Sequence, residues 1–350
     1  MIMNRFIDPP AGRRFCGPVT LFQKFVSRTG GKLYFIGLGR SQMQAALRTH
    51  TENEHEQPWM VLKRSPIRKK LAFLVLFIRH VPALLPLLLA LREDNVRRLV
   101  LARPEIFWIL LTSQVAANWD CRTRVARLVD HCKTVADIGG IVDFPPDAIV
   151  EIMSLPAIDA RYRITLDQAR WVLREGPLVF SLWDGIDRIF HIAFCLANEN
   201  GARVAYIGAV QGRREIDMYN YRVDIHNSYR LFTKAAAGMR PRDFLIEAFK
   251  IFCKALGVSE IRAVSKSNHS HREADFTLPY DEIWAERGGD IARDGFFILS
   301  VDHYRRATVK IPAKKRSMYG KRYAMMDMVA AQLTAVVHSR TADAAARRAA

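Results

Sequence analysis

Residues 178–210 read LVFSLWDGIDRIFHIAFCLANENGARVAYIGAV, which contains three runs rich in Val, Ile, Phe and Tyr. The runs cover residues 178–183, 188–197 and 203–210, and the breaks DGID and NENG between them consist of turn-forming residues. Aromatic and β-branched residues between such turns are typical of strands joined by hairpins. We therefore predict a three-stranded antiparallel meander, whose third strand is apolar on both faces and hence central.

A helix is predicted after the meander, at about residues 241–256. Pro241 suits the first turn of a helix, and Gly257 follows as a stop signal. Residues 260–265 then have the pattern of one more strand. The order β-β-β-α-β predicts an α+β domain, in which a mixed β-sheet packs with helices.

Composition divides the chain into four parts. A weakly patterned basic segment covers residues 1–60, and a helical region covers residues 61–145. An α+β domain is predicted over residues 146–330, after a stretch rich in Gly and Pro. Residues 331–350 are predicted to form a flexible tail.

The charge balance suggests anionic partners. The chain has 53 Lys and Arg against 35 Asp and Glu, a net charge of +18, while half of its residues are hydrophobic. This composition excludes a mainly disordered or collagen-like protein. The excess charge lies at the two ends, with +11 in residues 1–100 and +8 in residues 301–350. The ends are either solvated flanks or surfaces that contact something anionic.

Cysteine usage and hydropathy indicate a cytoplasmic protein. The five cysteines include no Cys-x-x-Cys pair, which favours reduced thiols. Residues 71–91 are long and apolar enough for a bilayer span, but Arg79 and His80 lie at their centre and Pro82 and Pro86 interrupt them. We expect buried or interfacial helices and no transmembrane span, with peripheral contact to the inner membrane left open.

Four stretches together resemble a known family. They are IGAVQG at 207–212, LFTKAAAGMRPRDFL at 231–245, YDEIWAERGG at 280–289 and KKRSMYGKRYAMMD at 314–327. The set is similar to the VirK/YbjX family, also called DUF535, of Gram-negative bacteria, over roughly residues 65–330. The resemblance implies a link to envelope integrity, virulence and resistance to antimicrobial peptides. It implies no particular reaction.

The turn before the predicted helix is the candidate cofactor site. A helix N-terminus offers unpaired N–H groups to an anion, Gly permits close backbone approach, and basic side chains add charge. The strand, helix and strand around it resemble the core of GNAT acyltransferases that binds acyl-CoA, although this turn has one Gly and a Pro. The alternative is a basic turn that caps an ordinary helix. The candidate residues are Thr233, Lys234, Gly238, Arg240 and Arg242.

The candidate catalytic residues are Tyr280, Asp281 and Glu282. A carboxylate beside a phenol can transfer protons. The alternative is structural: Asp281 begins a helix, Trp284 packs, and Gly288 ends the helix.

His269 and His271 have the spacing of metal ligands. No third ligand of matching context accompanies them, so the sequence predicts no metal site.

A basic stretch with two interleaved tyrosines, Tyr319 and Tyr323, is the candidate surface for anionic partners. Basic side chains bind phosphate, and aromatic rings lie well at a lipid interface. No nucleic-acid-binding motif accompanies the stretch, which makes nucleic acid the less favoured partner. The alternative is a solvated surface. The basic residues are Lys314, Lys315, Arg316, Lys321 and Arg322.

Two functions follow from these features. The first is an envelope-linked acyltransferase that uses an acyl-CoA-type donor, with an anionic membrane surface or a phosphorylated small molecule as partner. The second is a non-enzymatic adaptor that binds anionic lipid or nucleic acid through its basic ends. A sheet that opens beside Gly238 would favour the enzyme, and a closed sheet would favour the adaptor.

Overall fold

The computed structural model describes residues 81–103, 106, 109, 112–168, 172–213, 224–271 and 279–349. The basic segment predicted over residues 1–60 and the first part of the apolar stretch, residues 71–80, lie outside the described residues. Residues 81–90 are helical. Within the part of the chain that is described, no helix is long and apolar enough to cross a membrane.

The described strands form an eight-stranded mixed sheet in the order β1-β2-β3-β4-β5-β6-β8-β7. The strands are β1 Ile149–Ser154, β2 Tyr162–Asp167, β3 Leu178–Asp184, β4 Asp187–Glu199, β5 Ala202–Gly212, β6 Val258–Val264, β7 Asp290–Ile291 and β8 Phe296–Leu299. Strands β5 and β6 pair in parallel, and the other neighbours pair antiparallel. The predicted meander is confirmed as β3, β4 and β5, and the α+β class is confirmed with it.

The described α-helices pack against the sheet or against one another. Besides the helical residues 81–90, they are α1 Asp94–Ala102, α2 Cys121–Ile138, α3 Ile225–Ala235, α4 Pro241–Ala255, α5 Tyr280–Ala285 and α6 Arg316–Ala349. Helix α4 has Pro241 in its first turn and is followed by Gly257 at a φ of +73°, as predicted. Helix α6 extends over residues 331–349, where the sequence predicted a tail.

Aromatic rings join α4 to the sheet. The ring of Phe249 lies 4.8 Å from that of Phe194, and the ring of Phe252 lies 5.1 Å from that of Phe180. All four side chains are fully buried. Helix α2 packs on the other face, where His131 accepts a hydrogen bond at Nδ1 from the backbone of β4. Burial lowers the pKa of His131 to about 3, so its imidazole is neutral.

Candidate functional site

The parallel pair of strands ends abruptly. The pairing of β5 with β6 stops at Ile207 and Ala263, although β5 continues to Gly212. The register of β5 against β4 shifts at the same level and leaves Gly208 as the extra residue of a bulge, which bends the strand. We call the place where residues 208–212 leave β6 the β5–β6 fork.

A turn that contains Glu175 and Gly176 lies on this bulge. A Cβ atom on Gly208 would meet the carbonyl oxygen of Glu175 at 1.9 Å, and one on Gly176 would meet the backbone nitrogen of Phe194 at 2.4 Å. Both positions therefore require glycine, because no side chain fits between the two backbones. The contact fixes Glu175 at the fork.

Helix α5 supplies the hydrogen bonds at the fork that a continued strand would supply. The hydroxyl of Tyr280 accepts from the backbone nitrogen of Val210 at 2.9 Å and donates to its carbonyl at 3.1 Å. Nε1 of Trp284 donates to the carbonyl of Val264, the last residue of β6, at 3.0 Å. Tyr280 is fully buried, and burial raises the pKa of its phenol, which is neutral at pH 7.

A carboxylate and two histidines lie beside Tyr280. Oε1 of Glu175 lies 2.6 Å from Nε2 of His271, whose backbone N–H donates to Nδ1 of His269 at 3.1 Å. The ring of His269 lies 5.2 Å from that of Tyr280. Burial lowers the pKa of His269, and the nearby charge of Glu175 opposes this shift. The fork therefore holds a buried acid, two imidazoles and a phenol.

The surrounding backbone is strained and tightly held. Val115, a buried β-branched residue, has a φ of +59°, and its N–H donates to the carbonyl of Arg174 at 2.6 Å. The guanidinium of Arg174 donates to the carbonyl of Ser270 at 2.9 Å and lies 3.4 Å from Nδ1 of His271. Such strain persists only where the surrounding structure enforces it, which is common at functional sites.

The structure brings one of the three candidate catalytic residues to the fork. Tyr280 lies in it, whereas Glu282 is exposed. Asp281 is exposed as well and accepts a hydrogen bond from the backbone of Lys266, at the start of a short 3₁₀-helix. The carboxylate at the fork is that of Glu175, which sequence reasoning missed.

The candidate cofactor turn lies between α3 and α4, with α6 packed over it. Gly238 has a φ of +77°, and a Cβ there would lie 2.9 Å from the sulfur of Met318 on α6. The guanidinium of Arg322 donates to the carbonyl of Ala237 at 3.3 Å. Thr233 is part of α3 and donates its hydroxyl to the helix backbone. A ligand at this turn would therefore meet side chains of α6.

Charged side chains surround the first turn of α4. Lys234 and Arg240 are exposed, and Arg242 is half-buried with its Nε 3.1 Å from a carboxylate oxygen of Asp243. Arg287, which follows α5, donates to the same oxygen of Asp243. This shared carboxylate joins the start of α4 to the segment that carries Tyr280.

The basic stretch of α6 begins beside the same turn. The side chains of Lys314, Lys315, Arg316 and Lys321 are exposed. Arg322 lies 4.6 Å over the ring of Tyr319, a cation–π contact that orients its guanidinium. The candidate cofactor turn and the candidate anionic surface, predicted separately, thus meet at Arg322.

Among the described residues, no three His, Cys, Asp or Glu side chains lie close enough together to hold a metal ion. The described cysteines are free and buried, and burial raises the pKa of Cys132 and Cys195 to about 12. These thiols are protonated at neutral pH.

The fold and the fork define an α+β protein with a mixed sheet and a buried polar cluster at a parallel strand pair. Residues 63–335 match the family described as "Protein of unknown function (DUF535)", and the chain belongs to this family. The resemblance inferred from the four motifs is thereby confirmed.

Curated relatives match parts of the chain. A protein of Escherichia coli (strain K12) named "Uncharacterized protein YbjX" is 29% identical over 167 residues, which are 45% of this chain and 48% of the relative. Two proteins of Haemophilus influenzae (strain Rd), each named "Uncharacterized protein", are 36% and 37% identical, each over 28% of this chain and 34% of the relative. The matches thus span half or less of these relatives' lengths.

Proposed function

We propose that the protein is an acyltransferase that binds an acyl-CoA-type donor at the β5–β6 fork and acts on envelope material from the cytoplasmic side. The observation that carries the proposal is the fork, where acid, imidazole and phenol groups gather at the carboxyl ends of two parallel strands. Ligands of open sheets that contain parallel strands commonly bind at such strand ends. The strand order β4-β5-β6-β8-β7, with helices between β5 and β6, resembles that of GNAT acyltransferases. The envelope role rests on the family resemblance.

The start of α4 lies at the same end of the strands as the fork. Helix α4 has 15 residues, a length of about 22 Å, and only residues 256–257 separate its end from the start of β6. It therefore runs back along β6 and begins near the carboxyl end of that strand. The helix N-terminus, Lys234 and Arg240 would there face the pyrophosphate of a donor whose thioester reaches the fork.

From the sequence, an opening of the sheet beside Gly238 is the feature that would favour an enzyme. The parallel pairing ends beside Gly208, and Tyr280 occupies the space beside Val210. A donor that enters the fork would therefore replace Tyr280 as the hydrogen-bonding partner of the Val210 backbone.

Replacing Arg240 and Arg242 together by alanine is expected to weaken CoA binding at least about tenfold, because each guanidinium supplies a charge-assisted hydrogen bond to phosphate. The melting temperature without ligand should change little, since Arg240 is exposed and Arg242 is half-buried. Isothermal calorimetry with CoA measures the affinity. Arg293→Ala, an exposed arginine near β8, is the matched control and should leave the affinity unchanged.

Failure of the unmodified protein to bind CoA would refute the acyl-CoA donor. Equal CoA affinities of the double variant and the unmodified protein would show that the two arginines do not bind the donor.

The second candidate function is an adaptor that binds an anionic membrane surface. The observation in its favour is the exposed group of Lys314, Lys315, Arg316 and Lys321 at the start of α6, next to the basic turn before α4. Basic side chains near an anionic bilayer each contribute about 1 kcal/mol of attraction. This surface needs neither the fork nor a reaction.

Replacing Lys314, Lys315 and Arg316 by glutamine is expected to weaken binding to phosphatidylglycerol vesicles by about tenfold or more, since the three charges act together. Binding of the unmodified protein should fall steeply as salt rises, because screening acts on exposed charges. Vesicle co-sedimentation measures both effects, with Lys266→Gln and Arg293→Gln as the control. Vesicle binding that is insensitive to salt and to the three substitutions would contradict the adaptor function.

A further inference from the structure

We propose that Glu175 is the catalytic base of the β5–β6 fork and that His271 is its positioning residue, which together serve an amine acceptor. The inference rests on the proposed acyltransferase function and extends it to the acceptor. The fork gives both side chains a defined geometry, and neither belongs to the turn proposed to hold the donor's phosphates.

The two oxygens of Glu175 differ in their surroundings. The side chain is 5% exposed, and Oε1 lies 2.6 Å from Nε2 of His271. Oε2 is buried as well and has no hydrogen-bonding partner among the described residues. Buried carboxylate oxygens are almost always hydrogen-bonded in proteins. The N–H group of an acceptor amine would supply the hydrogen bond that this oxygen lacks, and the proposal commits to that acceptor class.

His271 connects the buried carboxylate to the surface. Its side chain is 31% exposed, and Nδ1 faces the guanidinium of Arg174 at 3.4 Å. This contact directs the lone pair of Nδ1 toward Arg174 and leaves the Nε2 proton for Glu175. His271 therefore orients the carboxylate through its Nε2 proton.

The remaining charged and titratable groups that the structure describes around Glu175 come from three segments. Arg174 belongs to the same turn, His269 to the segment after β6, and Tyr280 to α5, where its hydroxyl is bonded to Val210. The backbone of Glu175 is held by its close approach to Gly208, and its carboxylate is held by His271. A base held by its own scaffold is the arrangement that proton transfer requires.

The proposed step is balanced as follows. The lone pair of a neutral acceptor amine forms a C–N bond to the thioester carbon, and the C–S bond breaks with its electron pair on the CoA sulfur. The amine proton passes to Oε2 of Glu175, and the thiolate takes a proton from solvent. The products are an amide and free CoA thiol, and the proton on Glu175 passes to solvent when the products leave the site.

The test uses the full-length protein with acetyl-CoA and aniline, an amine that is largely neutral over the range, and it follows release of CoA thiol from pH 5 to pH 9. Glu175→Gln should lower kcat about 100-fold or more, with a KM for acetyl-CoA within about threefold of the unmodified value, since general-base catalysis contributes about 10²–10⁴. His271→Gln should lower kcat about tenfold and shift the rising limb of the pH profile, because it removes the partner of the base.

The matched control is Glu247→Gln, which alters another buried Glu–His pair. Oε2 of Glu247 lies 2.9 Å from Nδ1 of His303 in the segment after β8. This variant should keep kcat and the pH profile even where its melting temperature falls. If Glu175→Gln does not fold, Glu175→Asp takes its place and should retain the rising limb with a reduced kcat.

The outcomes separate the two proposals. No CoA binding by the unmodified protein overturns the proposed function. CoA binding without thiol release, or an unchanged kcat and pH profile in the Glu175 and His271 variants, would refute the role of Glu175 as the catalytic base. Either result would leave the proposed binding of the donor unaffected.

Discussion

Gly208→Ala is expected to lower the free energy of unfolding by at least about 3 kcal/mol, which is more than most overpacking substitutions cost. The new Cβ would lie 1.9 Å from the carbonyl oxygen of Glu175 and 2.8 Å from its carbonyl carbon. Both atoms are backbone, so no side chain can rotate away. The turn cannot retreat either, because Gly176 is in contact with the backbone of Phe194. Urea unfolding followed by circular dichroism measures the loss.

Two other glycines provide the comparison. Gly185 has a φ of +58° and open space around it, so Gly185→Ala should cost only about 1 kcal/mol, the penalty of a positive φ. Gly320 lies in helix α6 with nothing near its Cβ position, and Gly320→Ala should stabilise the protein by about 1 kcal/mol. A Gly208 variant as stable as the Gly185 variant would show that the turn does not lie against the strand.

The meander and helix α4 could be predicted because their signals are local. Turn residues flank each run in residues 178–210, and Pro241 and Gly257 mark the two ends of α4. Strands β1, β2, β7 and β8 were not predicted. Strand β7 has only two residues, and such short strands are defined by their partners rather than by their own sequence.

The candidate site could be predicted only in part for the same reason. Tyr280 stands out in the sequence because aromatic and acidic residues cluster around it. Glu175 and His271 are far apart in the chain, and only the sheet and its bulge bring them together. The pattern of His269 and His271 drew attention as a metal motif, whereas in the structure His271 pairs with a carboxylate.

A second large change in stability is expected at a buried ion pair on helix α4. Oε2 of Glu247 accepts hydrogen bonds from Nδ1 of His303 at 2.9 Å and from the backbone nitrogen of Tyr304 at 3.0 Å. Nζ of Lys250 lies 3.8 Å from the same oxygen, and the two side chains are 7% and 2% exposed. Burial would raise the pKa of Glu247, but the bond from His303 and the charge of Lys250 lower it overall. Burial lowers the pKa of Lys250, because it penalises the charged ammonium more than the charge of Glu247 favours it.

Glu247→Leu is expected to lower the free energy of unfolding by about 3–5 kcal/mol at pH 7, because the charge of Lys250 would stay buried without its partner. Lys250→Met should be neutral or stabilising by about 1 kcal/mol, since it removes a desolvated charge and leaves Glu247 with two donors. Combined with Glu247→Leu, it should recover much of the loss. Lys254 lies on the same helix and forms an exposed ion pair with Asp302, which follows β8. Lys254→Met should therefore change the free energy of unfolding by less than about 1 kcal/mol.

The pH dependence of unfolding provides an independent check on the same pair. The pKa of Glu247 is lower in the folded protein than its ordinary value of 4.5, so the folded state favours the ionised carboxylate. The resulting stability is present above pH 4.5 and is lost as the pH falls through the folded pKa. Urea unfolding at pH 7 and at pH 3.5 should therefore show a smaller acid-induced loss for Glu247→Leu than for the unmodified protein. Equal losses, or a Glu247→Leu variant no less stable than Lys254→Met, would mean that this pair does not hold the segment after β8 against α4.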